Sequence, residues 1–154
     1  MRRWWPTLDG TTPGERLAAA AYLLIMALGV TLAAAIAARI EVAGATPLTA
    51  TLYDGWIALA GGIGAGLGLH AARPALSRPS AAAPFLGAGI LFLAGSVIAG
   101  TLALPIYGTM FGPMALAVLL AASPVAAMSA LGTVALASWL LRHWQAERDS
   151  IFMR

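Results

Sequence analysis

Between Leu17 and Ala38 the chain runs for 22 residues without an acidic or basic side chain. As a helix rising 1.5 Å per residue it would be about 33 Å long, which matches the roughly 30 Å hydrocarbon core of a bilayer. In hydrocarbon every backbone amide and carbonyl needs an internal partner, so a segment of this kind crosses as a helix. The composition extends the argument to the whole chain: 60% of residues are apolar and 10% charged, against about 25% charged in an ordinary soluble domain. With a mean hydropathy of +0.85, the chain is built for lipid. Its 154 residues hold four spans of about 20 residues and leave little for a soluble domain.

Met1-Arg2-Arg3 before an apolar run has the outline of a signal peptide. Asp9 and Glu15 precede the run, however, and it exceeds the roughly 7 to 15 apolar residues of such a peptide. It is therefore read as a retained first span, preceded by a tail over 1–12. Thr12-Pro13-Gly14-Glu15 supplies its start: threonine caps the free amides, proline suits the first helical position, and glutamate reaches back from the third.

Arg39, Glu41, Gly44 and Pro47 mark a loop, after which Thr51-Leu52-Tyr53-Asp54 repeats the cap pattern and opens a second span over 52–70. Arg73, Pro74, Ser77, Arg78, Pro79 and Ser80 form a polar connection; Pro84 opens a third span over 85–104, and Pro105 to Gly112 makes a turn. The last apolar stretch, Pro113 to Leu141, has 29 residues, about 43 Å of helix. It is expected as one long fourth helix, tilted and kinked at Pro124, followed by a tail over 142–154 that extends the helix or lies on the membrane surface. The expected fold is an all-α integral membrane protein, a four-transmembrane-helix bundle forming a single domain over 1–154.

Orientation is read from arginine, since the chain has no lysine. With both termini cytoplasmic, the inner segments hold Arg2, Arg3, Arg16, Arg73, Arg78, Arg142, Arg148 and Arg154 and the outer ones only Arg39, the bias that the positive-inside rule requires. It also demands an even number of spans. Trp4, Trp5, Trp139 and Trp144 are then expected as anchors at the inner interface, with Tyr53 and Trp56 at the outer one. The usage of Ala, Gly, Leu and Arg points to a bacterium, and the expected location is its inner membrane.

The sequence offers little chemistry. Without cysteine there is no disulfide, thiolate metal site or thiol nucleophile. HExxH, GxSxG and paired intramembrane carboxylates are all missing, so no enzyme activity is expected. Two histidines, His70 and His143, are too few for a metal or haem site, and no cofactor is expected. A net charge of +3 gives no basic patch for nucleic acid. Asp54, otherwise a helix-start residue, is the best candidate for an ion or proton site.

Small residues are the strongest pattern. Gly62/Gly66 and Gly64/Gly68 stand four apart, so each pair lies on one helix face where another backbone can approach closely, and the two pairs cover different faces. Gly95 and Gly100 are expected to serve the same end in the third span. These features lead to a non-catalytic small membrane subunit that packs against a larger bacterial inner-membrane complex, respiratory or photosynthetic, and stabilises or modulates it. The alternative is a small transporter or channel, a homo-oligomer with its pathway at a subunit or helix interface; it would need polar groups such as Asp54, Ser123 and Ser129 on a hydrated cavity.

Overall fold

The computed structural model describes residues 12–39, 47–78, 80 and 82–152, which form five helices: α1 (Pro13–Ala37), α2 (Pro47–Leu76), α3 (Ala83–Ala103), α4 (Gly108–Ala122) and α5 (Pro124–Phe152). Four segments are long and apolar enough to cross a bilayer: Pro13–Ala37, Thr51–Leu76, Ala83–Ala103 and Pro124–Ser150. The chain is thus an all-helical, multi-pass membrane bundle of four spans plus a shorter helix. α1 starts with a capping box, in which Glu15 N–H donates to Thr12 Oγ1 at 3.2 Å and Thr12 N–H to Glu15 Oε2 at 3.0 Å.

Two sequence expectations are corrected. α2 opens at Pro47, not at Thr51, and ends at Leu76, not His70. Proline is preset for the first helical position, so Thr51 lies inside the helix, in its second turn. Pro74 lies inside α2, in its last turn, and leaves the His70 carbonyl without an i+4 amide.

The second correction is larger. The single kinked helix expected over 113–141 is two helices, separated by Ser123 at φ −130° and ψ 97°. A residue before proline clashes in the helical region and moves to the extended one, which turns a kink into a break. Ser123 serves both sides of it. Its amide donates to the Leu119 carbonyl at 3.0 Å, closing α4, and its Oγ accepts from Ala126 N–H at 3.3 Å, opening α5. α4, with 15 residues, is about 22 Å long and too short to span. Of the two forms expected for the tail over 142–154, the chain takes the helical one, continuing α5 to Phe152.

α2 organises the bundle. A methyl group at Gly61 would fall 2.5 Å from the Gly29 carbonyl oxygen of α1, and one at Gly62 would lie 2.9 Å from Val30 Cγ2. On α3's side, a methyl at Gly64 would fall 2.5 Å from the Gly95 carbonyl oxygen, and one at Gly68 would be 2.8 Å from that of Leu91. At about 100° per residue, the α1-facing residues (Gly61, Gly62, Ala65, Gly66) and the α3-facing ones (Gly64, Gly68) centre roughly 110° apart around the α2 axis. α1 and α3 therefore stand as the two walls of a V with α2 at its base.

α5 fills one end of the V. Val134, Ala137, Leu140 and Leu141 are buried there against Ala21 and Ile25 of α1, Leu69, Ala72 and Leu76 of α2, and Leu91 of α3. This end gathers Arg16, Arg73, Arg142 and Arg148, because the first turn of α1 meets the last turns of α5: a methyl at Gly14 would touch Glu147 and lie 3.3 Å from Trp144 Cδ1. At the opposite end α4 crosses obliquely from α3 to α1. Its Gly108 and Gly112 lie against Gly100 and Ser96, Thr109 Oγ1 is 3.1 Å from Thr101 Oγ1, and Val118 and Leu119 face Ile36 and Arg39 near the end of α1. Trp56 Nε1 donates to the Leu102 carbonyl at 3.0 Å, tying α2 to the last turn of α3.

Two predictions follow from this geometry, both read as unfolding midpoints in detergent. Gly64→Ala should destabilise by about 1–3 kcal/mol through overpacking against backbone, whereas Gly89→Ala and Gly132→Ala, where an added methyl meets nothing within 4 Å, should be neutral or stabilise by up to about 1 kcal/mol. Ile106, in the α3–α4 turn, holds φ 83°, a left-handed conformation that a β-branched residue adopts only under strain. Ile106→Gly should raise stability by about 1 kcal/mol.

Candidate functional site

The V that α5 fills at the arginine-rich end stays open at the other. There the walls of α1, α2 and α3, partly roofed by α4, enclose a cavity of about 120 Å³. Its lining is made by side chains such as Ile25, Leu32, Ile57, Phe92 and Leu116, with Tyr53 and Ser96 as polar members. The break at Ser123 causes it: α5 begins beside the end of α1, and α4 lies across the mouth instead of descending into the groove. Ser96 Oγ donates to the Leu93 carbonyl of its own helix at 3.1 Å. Walls of this kind offer hydrocarbon contact and one phenol, so what they can hold is apolar.

The polar residues singled out in the sequence do not converge on this cavity. Asp54 sits in the second turn of α2, exposed, and is not among the lining residues; the helix-start role expected for it is lost because α2 begins at Pro47. Ser129 Oγ donates to the Ala126 carbonyl at 2.9 Å and Thr133 Oγ1 to that of Ser129 at 2.8 Å, so both hydroxyls are taken up by their own helix, and Met128 is exposed. His70 Nδ1 lies 3.4 Å from the Tyr22 hydroxyl across the α1–α2 contact. His143 Nδ1 is 2.9 Å from the Trp139 carbonyl, and its ring lies tilted against that indole, the centroids 4.2 Å apart. Among the described residues no group of three or more potential ligands could hold a metal ion.

The glycines are placed against neighbours in the same chain. Gly62 and Gly66 face α1, Gly64 and Gly68 face Gly95 and its surroundings on α3, and Gly100 faces Gly108 and Gly112 of α4. Sequence reasoning missed Gly29, Gly61, Gly108 and Gly112, which make equally close approaches. Gly29 and Gly61 have alanines, not glycines, four residues on, at Ala33 and Ala65; a search for small residues at that spacing would have found them.

A second cluster lies at the arginine-rich end. Trp144, expected as an interfacial anchor, is 9% exposed, with the Arg73 guanidinium carbon 4.3 Å and that of Arg148 4.9 Å from the ring centroid. Arg142 Nε donates to the Leu76 carbonyl at 3.5 Å, at the end of α2. Trp139 is exposed. Trp4 and Trp5, expected at the same level, lie outside the described residues, as do Glu41 and Gly44. The Trp144–Arg148 contact has a local signal, four residues along one helix; the contact with Arg73 has none.

Ser138, on α5, is 3% exposed, and its Oγ has no hydrogen-bond partner among the described residues. An orphaned buried hydroxyl is destabilising, so Ser138→Ala should raise the unfolding midpoint, by a margin corresponding to about 1 kcal/mol. A lower midpoint would show that the hydroxyl is satisfied. Compared with protein families, curated proteins and solved structures, the chain matches none.

Proposed function

We propose that the chain is a non-catalytic membrane subunit that packs against a larger bacterial inner-membrane complex and stabilises or modulates it. The observation that carries this reading is α4. It has no charged residue, is too short to span, and crosses the end of the bundle, where hydrocarbon gives way to headgroups. A helix that lies at an interface ordinarily turns a polar face to water. α4 instead exposes Met110, Met114 and Val118, four residues apart on one face and 85%, 59% and 61% accessible, and the exposed Val125 and Met128 of α5 follow in sequence. Methionine is flexible and adapts to irregular partner surfaces.

In this reading the small-residue crossings of GxxxG type serve helix association inside the chain, which leaves the α4 face for a partner. The end that carries Arg16, Arg73, Arg78, Arg142 and Arg148 faces the cytoplasm. The transporter or channel reading has less support. Its broken helix would be expected near the bilayer midplane, whereas the Ser123 break lies beside the end of α1, and the cavity is apolar.

The test is mild extraction from the native membrane, native gel separation and mass spectrometry of whatever migrates with the chain. Stoichiometric migration with a large complex is expected, and the double variant Met110→Glu/Met114→Glu should leave it while keeping its helical circular dichroism. Migration as a lone homo-oligomer would overturn the subunit reading. Transport in proteoliposomes that is lost on Asp54→Asn would replace it with the alternative.

A further inference from the structure

We infer that the arginine-rich end holds a binding site for the phosphate of an anionic membrane lipid, built by Arg73 and Arg148 around Trp144 with Arg142 beside them. The first ground is convergence. Guanidinium carbons 4.3 Å and 4.9 Å from the same ring centroid stand no more than 9.2 Å apart, although one residue comes from α2 and the other from α5. Arg142, hydrogen-bonded through Nε to Leu76 at the end of α2, adds a third charge on the same two helices.

The second ground is that, among the described residues, no carboxylate forms a salt bridge with Arg73, Arg142 or Arg148; their contacts are the indole and one carbonyl. The Glu147 carboxylate lies beside the cluster, against Gly14 of α1 where Trp144 Cδ1 also rests, and one carboxylate leaves three guanidiniums in excess of negative charge. Like charges gathered on one indole repel, and a cation–π contact does not neutralise them. An anion would. Two guanidiniums within that limit can donate to one phosphate through N–H···O bonds of about 2.9 Å, and arginine's planar fork suits phosphate oxygens.

The third ground is depth, which selects the source of the phosphate. Trp144 lies one turn beyond Leu140 and Leu141, which are buried with Leu76 in the bundle core, so the guanidiniums stand where the apolar core ends. Lipid phosphates occupy that level, and basic clusters between helices at the membrane surface suit anionic headgroups. A lipid also brings acyl chains to lie along the apolar spans, which free phosphate cannot do. Whether or not the chain joins a complex, the site stands on these residues alone.

The experiment uses the full chain, purified and delipidated in mild detergent, with native mass spectrometry of bound phosphatidylglycerol and of phosphatidylcholine with the same acyl chains. Phosphatidylglycerol should be retained about tenfold better, the value of one charge-assisted contact. The double variant R73Q/R148Q should reduce that preference to within about twofold, while R39Q, at the opposite end, should leave it unchanged. Should R73Q/R148Q lose its helical circular dichroism, R73K/R148K carries the test: it keeps the charge without the planar fork and should lose about threefold. Equal retention of the two lipids by the wild type, an equal loss in R39Q, an unchanged preference in R73K/R148K, or displacement of phosphatidylglycerol by equimolar inorganic phosphate would each overturn the assignment.

Discussion

The close approach of backbones along α2 sets the geometry on which everything else depends. Helices in lipid gain nothing from expelling water between them, so association rests on van der Waals packing and on how near the backbones can come. Gly61 and Gly62 admit α1, and Gly64 and Gly68 admit α3. Because these positions lie on faces that are neither the same nor opposite, α1 and α3 lean on α2 at an angle and leave a groove between them. Ile57, Gly61 and Ala65 at the base of that groove line the cavity, while Leu69, Ala72 and Leu76, further along the same face, belong to the core. One helix face thus serves a filled half and an open half.

What divides the halves is Pro124. A continuous helix entering from α3 would have carried its side chains down the groove for its full length. The extended conformation that proline imposes on Ser123 lets α4 end near α1 and α5 start there afresh. From Pro124 to Arg142 is 19 residues, about 28 Å, so α5 crosses on its own and still has two and a half turns left to carry Trp144, Glu147 and Arg148 against the first turn of α1. The second cluster of the molecule is therefore a consequence of the same break.

Much of this was legible in the sequence, and the failures have physical causes. Hydropathy gave the number of spans and placed the first three, and the Thr12–Glu15 box gave the start of α1, because both signals are local. The start of α2 was misplaced because Pro47 and Thr51 are each good start signals four residues apart, and the earlier one prevails as soon as the intervening residues can be helical. The break reads as a kink because cutting the stretch at Pro124 leaves a first piece of about 11 residues, too short to span unless it re-enters. The helix continues past Leu141 through Arg142 and His143, and that added length lets α5 span without α4. The pairing of Arg73 with Trp144 joins residues on different helices and leaves no pattern in the sequence, whereas the spacing of Gly64 and Gly68 shows which face is open without showing what fills it.

The unfilled half of the groove raises a question of balance. In a water-soluble core a void of about 120 Å³ would cost about 3 kcal/mol at 24 cal/mol per Å³, a large share of the 5–15 kcal/mol that holds a typical domain together. Here the surrounding solvent is hydrocarbon, and the cavity walls match it. Acyl chains, or an apolar partner segment, recover the contacts that a dry void forfeits, so small residues at Gly29, Gly95 and Gly100 can be kept for backbone approach without larger side chains to plug the space beside them. The two ends of the bundle are then specialised by the same economy of side chains: one gathers guanidiniums around Trp144, and the other is roofed by α4, whose Met110, Met114 and Val118 are exposed.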